Sequence, residues 1–409
     1  MAVLSDLPAS AKYTIITQAI WAVFGKVVLF YAPLYMQKMG LTAVEIGLIS
    51  TCNLLFSFAW QFMASGISNK LGRKRTIFIF DLICWSVPMF IWAFAQNFWF
   101  FMAASIINAT VKVSSIAWYC LLSEDVEEKK RAKVFGIMNV VMAAPGILMP
   151  AAGMLMGQYG IIPTLRTFYL LGAISMTISF FIRNAYIKET RVGLELMEKH
   201  RTLSFAGSFK AYFYTVLEAY KNRSFIIISL LYVIVNFTAS MGFIQVLYLQ
   251  NNLGFGEEAI SLTQVITAVV NLVFFLLLIP RLRNVNEEKT LTGSLAVCTA
   301  GAIFFIFLPE KNLFAMLMAI TISAIGNYLM ATYRDAVLIN KLGDHEKSDM
   351  LSAVQVLTAL VCIPSSYIAG VIFSINALLP FVVIAALFVI AMFISMTLIK
   401  EKSTMISGG

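Results

Sequence analysis

Residues Ser65 to Thr76, SGISNKLGRKRT, form a short polar stretch between two long apolar runs. Lys70, Arg73, Lys74 and Arg75 give the stretch four basic side chains within six positions. Lys and Arg in short connections between membrane spans stay on the cytoplasmic side and thereby set the orientation of the chain. We therefore expect a cytoplasmic loop here that joins a second to a third membrane span.

The composition is that of a polytopic helical membrane protein. Of the 409 residues 60% are hydrophobic and 12% are charged, and the mean hydropathy is +0.84. A soluble protein has about half apolar and a quarter charged residues. The net charge of +9 comes mostly from segments that we assign to the cytoplasm, where they meet anionic lipid. We therefore expect membrane lipids, and no nucleic acid, as partners of these basic residues.

Twelve stretches are apolar over the roughly 20 residues that a span needs. The connections after spans 2, 4, 6, 8 and 10 carry the basic clusters, whereas the other connections hold little beyond Lys38 and Lys311. Because the number of spans is even, we expect both termini in the cytoplasm of a cell inner membrane. The predicted spans are 13–37, 43–65, 76–95, 99–122, 134–157, 164–186, 224–249, 257–280, 290–308, 313–337, 348–373 and 377–399.

The sequence also repeats itself at about half its length. Leu34-Tyr-Met-Gln37 returns as Leu247-Tyr-Leu-Gln250, and the pattern that begins at Arg131 returns at Lys347, with offsets of 213 and 216. We therefore predict a six-helix half at 1–187, a cytoplasmic linker at 188–223 and a second six-helix half at 224–409. An amphipathic piece in the linker, 209–221, is suited to lie along the membrane surface.

The basic loop resembles the signature of the major facilitator superfamily, G-x-x-x-D-[RK]-x-G-[RK]-[RK]. Lys70, Gly72, Arg73 and Lys74 match it, whereas Asn69 replaces the Asp and Ser65 the first Gly. The resemblance implies an all-α fold of 12 transmembrane helices in two six-helix pseudo-repeats, with a substrate site at their interface and transport by alternating access. It also implies a gate role for the loop, in which Asn69 can only form a hydrogen bond where the family has a charge.

A second signature of the family, found in antiporters, is only partly present in span 5. Gly136, Pro150 and Gly153 fit it, but other positions that the signature gives to glycine hold Pro145 and two methionines. Glycines at those positions allow close helix approach, so drug or proton antiport loses support. Pro145 and Pro150 are expected to kink the helix.

Polar side chains within the spans are the candidates for substrate contact, because they are costly in a membrane without partners or water. Asn108, Lys112, Ser115 and Tyr119 are spaced to share one face of span 4. In the family that the chain resembles, spans 1, 4, 7 and 10 line the central cavity, so this face is expected to point into it. The other predicted cavity residues are Gln18, Trp21 and Lys26 in span 1, Asn236 in span 7, and Asn327 and Tyr328 in span 10.

Lys112 and Lys26 lie near the middle of two of these spans and predict a pocket for an anionic group. The alternative is that each lysine snorkels to the membrane surface, pairs with a helix-end carbonyl group or forms a structural ion pair. Trp21 and Trp60 are candidates for stacking on a sugar or another ring. We predict a small organic anion as the substrate.

No Asp or Glu occupies the middle of spans 1, 4, 7 or 10, which favours uniport or anion exchange over proton coupling. Coupling through Asp81 or Asp335 stays open, and we expect Asp81 to pair with the basic loop just before it. Arg334 lies beside Asp335 toward the cytoplasmic end of span 10, where a gate or snorkelling role is expected.

Other classes of function have weaker support. The five cysteines lie in apolar runs without C-x-x-C spacing, no phosphate-binding G-x-x-x-x-G-K-[ST] loop occurs, and no constellation of catalytic residues appears. We expect no cofactor, no metal and no enzymatic activity, and a monomer. A drug or lipid exporter of the same superfamily and a membrane sensor on the same fold are the alternatives.

Overall fold

The computed structural model describes residues 7–199, 223–274, 276, 285–341 and 347–407. Within these residues every regular element is a helix. The predicted amphipathic piece 209–221 and the connection 280–284 lie outside the described residues. Eleven of the described helical segments are long and apolar enough to cross a membrane. The remaining predicted span, span 8 at 257–280, is helical over Glu257–Val273, and its predicted end lies outside the described part of the chain.

The chain forms two compact units, Met1–Phe209 and Lys210–Gly409. The α-helices of the first unit are α1 Ala9–Lys38, α2 Ala43–Leu71, α3 Arg73–Asp81, α4 Val87–Ala93, α5 Phe98–Asn108, α6 Val111–Ser123, α7 Glu128–Ala143, α8 Met149–Tyr159, α9 Ile161–Tyr186 and α10 Arg191–Lys199. Those of the second unit are α11 Arg223–Ser240, α12 Phe243–Asn251, α13 Glu257–Val273, α14 Glu287–Ile306, α15 Leu313–Lys341, α16 Lys347–Cys362, α17 Ser365–Ile375 and α18 Leu379–Ser407.

Several spans are interrupted, and residue type explains most of the interruptions. Span 5 passes through a 3₁₀ turn, Ala144–Leu148, which contains Pro145, as expected for a residue that removes a helix hydrogen bond. Span 3 contains a π-helical turn, Leu82–Ser86, just before Pro88. Span 7 breaks at Gly242 and span 11 at Pro364. Each break changes the direction in which the side chains after it point.

The connection between spans 2 and 3 is shorter than predicted. The polar residues 66–71 continue α2, and α3 begins at Arg73, so Gly72 is the single connecting residue. Gly72 has φ 83° and ψ 163°, a backbone conformation that is essentially restricted to glycine. The sharp turn therefore depends on a residue without a Cβ atom.

Each unit has its own packed interior. In the first unit, spans 1 and 6 pack together, and Tyr31, Tyr35 and Tyr169 are almost fully buried. In the second unit a buried cluster joins spans 7, 9, 10 and 12 through residues such as Leu231, Leu295 and Phe388. The boundaries predicted at 187 and 224 remain predictions, although α10, which lies in the predicted linker, packs against α2 of the first unit.

Candidate functional site

The basic loop is the centre of a hydrogen-bonded network at one end of the first unit. Arg73 is buried there and its guanidinium pairs with Glu124 at the end of span 4, with Nη2 3.0 Å from Oε1. Nη1 of Arg73 donates to Ser68 Oγ at 2.9 Å and to Asn69 Oδ1 at 2.8 Å. Lys70 is exposed. The predicted gate residue Asn69 therefore contacts Arg73 through its side-chain carbonyl.

Two residues near the start of the predicted linker, Glu189 and Thr190, also belong to this network. The carboxylate of Glu189 accepts hydrogen bonds from the backbone N–H groups of Arg73 at 2.8 Å and Lys74 at 3.0 Å. These are the first N–H groups of α3, which have no partner within the helix and favour an anion. Thr190 is fully buried and donates its hydroxyl to Glu124. Residues 189 and 190 thus bind span 3 and span 4 at once.

The charge on Glu124 is stabilised by these contacts. Burial by itself raises the pKa of the carboxyl group, but the hydrogen bonds from Arg73 and Thr190 outweigh burial, and the pKa is lowered below its ordinary value of 4.5. Glu124 therefore stays ionised at neutral pH and remains a partner for Arg73.

A cavity of about 280 Å³ lies within the first unit. Two pairs of aromatic side chains are part of its walls. Trp21 meets Trp85 edge to face, with ring centroids 4.9 Å apart, and Trp118 meets Tyr119 in the same way at 4.9 Å. Trp118 is fixed further, because its Nε1 donates to Gln18 Oε1 at 3.0 Å. The other wall residues are Thr17, Gln18, Asp81, Val111, Ser114, Ser115, Met142, Phe180 and Arg183.

The structure brings Gln18, Trp21, Ser115 and Tyr119 of the predicted set to this cavity. Asn108 is displaced, because span 4 is interrupted between Asn108 and Val111 by turns with i to i+3 hydrogen bonds. Its Nδ2 instead donates to the carbonyl oxygen of Cys84 in span 3 at 2.7 Å. The prediction of one continuous face from Asn108 to Tyr119 is therefore wrong at its first residue.

Lys112 and Lys26 are not among the wall residues of this cavity. Lys112 is exposed and Lys26 is half-buried. Helix geometry places Lys112 one turn from Ser115 and two turns from Tyr119 on the same face of α6. Within the described residues neither lysine has an ion pair or hydrogen bond to its amine. The alternative that each forms a structural ion pair therefore finds no support there.

Asp81 does not pair with the basic loop, and that expectation is wrong. Its carboxylate forms a buried ion pair with Arg183 of span 6 and accepts a hydrogen bond from Ser114 of span 4. All three residues line the cavity. Sequence reasoning missed Arg183. It is an ionisable residue inside a predicted span, and that position alone could have marked it as a candidate functional residue.

The second unit holds a cavity of about 350 Å³ with a different chemistry. Its walls include the predicted residues Asn327 and Tyr328, but Asn236 is absent from them and donates to the carbonyl oxygen of Tyr232 in its own helix at 2.8 Å. Sequence reasoning missed several of the wall residues, although Thr267 and Asn271 follow each other at i, i+4 on span 8. Among the residues that the structure describes, the wall consists of Gln245, Thr267, Asn271, Ile320, Ser323, Ala324, Asn327, Tyr328, Ala331 and Thr332.

Arg334 and Asp335 of span 10 are held by Tyr232 of span 7. The guanidinium carbon of Arg334 lies 4.1 Å from the centroid of the Tyr232 ring, and Nη2 lies 3.0 Å from Asp335 Oδ1. The Tyr232 hydroxyl donates to the same carboxylate oxygen. These contacts tie spans 7 and 10 together through a cation–π contact and an ion pair.

Similarity to known proteins agrees with this architecture. The sequence profile of the Major Facilitator Superfamily matches residues 14–365. The chain therefore belongs to the major facilitator superfamily, and it is a multi-pass membrane protein of a transporter family and not an enzyme.

Individual relatives are distant. The quinolone resistance protein NorA of Staphylococcus aureus (strain MRSA252) is 28% identical over 171 residues, which are 41% of this chain and 43% of that protein. The crystal structure of the nucleoside transporter NupG is 12% identical with a TM-score of 0.72, covering 96% of this chain and 99% of its own. The human organic anion transporter MFSD10 is 13% identical with a TM-score of 0.64 and coverages of 95% and 99%. At such identities these two structures establish the fold alone.

Proposed function

We propose that this transporter moves a small organic anion that carries a ring, by alternating access between its two halves. It works as a monomer in the cytoplasmic membrane, with both termini in the cytoplasm. The observation that carries the substrate class is the amine of Lys112, which is exposed, has no partner among the described residues and lies near the middle of the candidate membrane span Phe98–Ser123. A lysine at such a depth faces water or a ligand, because contact with lipid is costly.

The aromatic walls of the first-unit cavity supply the second part of the argument. Trp21, Trp85 and Trp118 are held by edge-to-face contacts and by the hydrogen bond to Gln18. Rigid aromatic side chains bind rings with little loss of conformational entropy. Lys112 lies two turns from Tyr119 on the same face, about 10 Å along the helix axis. A ring among the aromatic residues and a carboxylate toward Lys112 therefore fit one elongated solute.

Thermal shift of the purified protein tests this proposal, because a ligand that binds the folded state raises its melting temperature. The probes are benzoate, its uncharged analogue benzamide and the non-aromatic cyclohexanecarboxylate. We expect benzoate to stabilise the wild type most, and Lys112→Met to weaken benzoate about tenfold or more, as the loss of a charge-assisted contact of ~1.5–3 kcal/mol implies.

Two matched variants make this test specific. Lys112→Arg keeps the charge and should retain binding, and Lys38→Met removes the same charge from an exposed helix end and should have no effect. Uptake of the stabilising anion into proteoliposomes then tests transport. Undiminished benzoate binding by Lys112→Met would refute the role of Lys112.

Export of a lipophilic compound is the second candidate. Two observations favour it: the similarity of 41% of this chain to a protein named for quinolone resistance and the aromatic cavity. It predicts stabilisation by lipophilic cations or neutral compounds that Lys112→Met leaves unchanged. The same thermal-shift plate therefore separates the two candidates.

A further inference from the structure

Span 3 changes its helix type beside the cavity of the first unit. Between α3 and α4 it forms the π-helical turn Leu82–Ser86, in which the N–H of Val87 donates to the carbonyl oxygen of Leu82, five residues earlier. Such a turn inserts one extra residue, so the helix beyond it is rotated by about 100° relative to a continuous α-helix. Trp85 lies within the turn and on the cavity wall, and its ring meets that of Trp21. The direction of this aromatic side chain therefore depends on the turn.

Pro88 explains why the turn forms at this point. A proline has no N–H group, and in an α-helix its ring collides with the carbonyl group four residues earlier. Here that carbonyl group belongs to Cys84, which therefore lacks the N–H donor that an α-helix would give it. Within a membrane a neighbouring helix must supply a donor for such a group, because water is absent.

Asn108 of span 4 supplies a donor to this carbonyl group. Its Nδ2 donates to the carbonyl oxygen of Cys84 at 2.7 Å. Asn108 is the last residue of α5, and the turns after it have i to i+3 hydrogen bonds. The irregular parts of spans 3 and 4 are therefore joined by a single side-chain hydrogen bond.

Other contacts hold the two ends of the π-helical turn. Before the turn, the carboxylate of Asp81 is bound by side chains of spans 4 and 6. At its end, the hydroxyl groups of Ser86 and of Thr177 in span 6 lie 2.7 Å apart. The bond from Asn108 reaches the middle of the turn, at the residue just before Trp85. It is thus the contact best placed to fix the direction of the Trp85 side chain.

We propose that Asn108 is a positioning residue of the first-unit cavity. Through its bond to the carbonyl group of Cys84 it holds the π-helical turn, and the turn keeps Trp85 on the wall where the ring of the solute binds. Asn108 itself does not line the cavity, so it acts through Trp85 and not by contact with the solute. This inference rests on the proposed function, to which the ring-binding role of the cavity belongs.

The affinity for benzoate, measured from thermal shifts of the full chain over a concentration series, tests this role. Asn108→Leu removes the donor and should weaken benzoate about twofold to tenfold, the equivalent of one hydrogen bond. Asn53→Leu is the matched control. Nδ2 of Asn53 donates to the carbonyl oxygen of Ser105 at 2.7 Å, a bond of the same kind and length between two spans, but neither residue lines the cavity. Asn53→Leu should therefore leave the affinity unchanged.

A double-mutant cycle separates the positioning role from a merely structural one. If Asn108 acts through Trp85, Asn108→Leu weakens benzoate in the wild-type background and has no further effect in a Trp85→Leu background. Equal losses in the two backgrounds would overturn the inference. An unchanged affinity of Asn108→Leu for benzoate would overturn it as well.

Near-ultraviolet circular dichroism follows the same contact without a ligand, because it reports the fixed packing of aromatic side chains. The difference between wild type and Trp85→Leu gives the signal of Trp85. Asn108→Leu should lose most of this signal, and Asn53→Leu should retain it. Pro88→Ala reaches the same contact from span 3 and serves if Asn108→Leu does not fold. It gives the Cys84 carbonyl group a donor in its own helix, so the turn closes to an α-helix and the Trp85 signal should again be lost.

The two readouts keep this result separate from the proposed function. If the wild type does not respond to benzoate but Asn108→Leu loses the Trp85 signal, the proposed function fails and the positioning of Trp85 by Asn108 stands. If benzoate binding depends on Lys112 while Asn108→Leu changes neither the affinity nor the signal, the positioning role is refuted and the proposed function stands.

Discussion

Replacing Gly72 by alanine should destabilise the first unit more than a glycine-to-alanine change at any ordinary turn. The new Cβ atom would lie 2.4 Å from Oε2 of Glu189 and 2.6 Å from Sδ of Met197. The methionine can move, but Glu189 is held by the N–H groups of Arg73 and Lys74. The carboxylate must therefore leave the start of α3 to make room.

The magnitude follows from two contributions. A non-glycine residue in the backbone conformation of Gly72, φ 83° and ψ 163°, costs about 1–3 kcal/mol. Loss of the two hydrogen bonds to the half-buried Glu189 carboxylate adds about 2 kcal/mol after allowance for solvent. We therefore expect Gly72→Ala to lower the free energy of unfolding by about 3–5 kcal/mol.

Gly160 provides a matched control for this prediction. Its backbone has φ 85° and ψ 155°, almost the same as Gly72, but the nearest atom to an added Cβ is Cδ of Pro163 at 3.7 Å. Gly160→Ala should therefore cost only the backbone contribution. Denaturant unfolding in detergent micelles measures both variants, and equal losses would refute the claim that Glu189 occupies the space beside Gly72. Combined with Glu189→Ala, the Gly72→Ala change should cost less than it does alone.

Two further predictions concern charged pairs of the first unit. The pKa of Glu124 is lowered in the folded state. Its ionised carboxylate therefore contributes fully to stability above pH 4.5, and this contribution is lost as the pH falls through the folded pKa. In acid unfolding followed against pH, Glu124→Gln should abolish this loss of stability. Asp81→Asn leaves the buried Arg183 without its partner carboxylate and should lower the free energy of unfolding by about 3–5 kcal/mol. The double variant Asp81→Leu with Arg183→Met removes both charges and should recover most of that loss. A double variant as unstable as Asp81→Asn would contradict this account.

Hydropathy predicted the number and order of the spans well, because each span is an apolar run of sufficient length. The edges were less accurate where polar residues continue a helix beyond the apolar run. Span 2 was expected to end at residue 65 and ends at Leu71, since Ser68, Asn69 and Lys70 are compatible with a helix that leaves the membrane. Only the positive φ of Gly72 ends it.

Residue contacts across the fold were harder to predict than the helices. Asp81 was assigned to the basic loop because the loop is near in sequence, yet its partner Arg183 is 102 residues away. Asn108 was placed on the face of Lys112 because a continuous helix was assumed, and the turns after Asn108 change that angle. One sequence gives helix periodicity, but it does not give helix interruptions of this kind or the neighbours of each helix.

The network around Arg73 gives a physical reason for the Asn at the position where the family signature has Asp. Two carboxylates already act on this turn: Glu124 pairs with the guanidinium of Arg73, and Glu189 binds its backbone N–H. A third carboxylate at position 69, one helical turn before Arg73, would add like-charge repulsion to a partly buried cluster. Asn69 keeps the hydrogen bond to Nη1 of Arg73 without that cost. The departure from the signature is therefore matched by two acidic residues, one at the end of span 4 and one in the predicted linker after span 6, and it need not weaken the contacts that hold the turn.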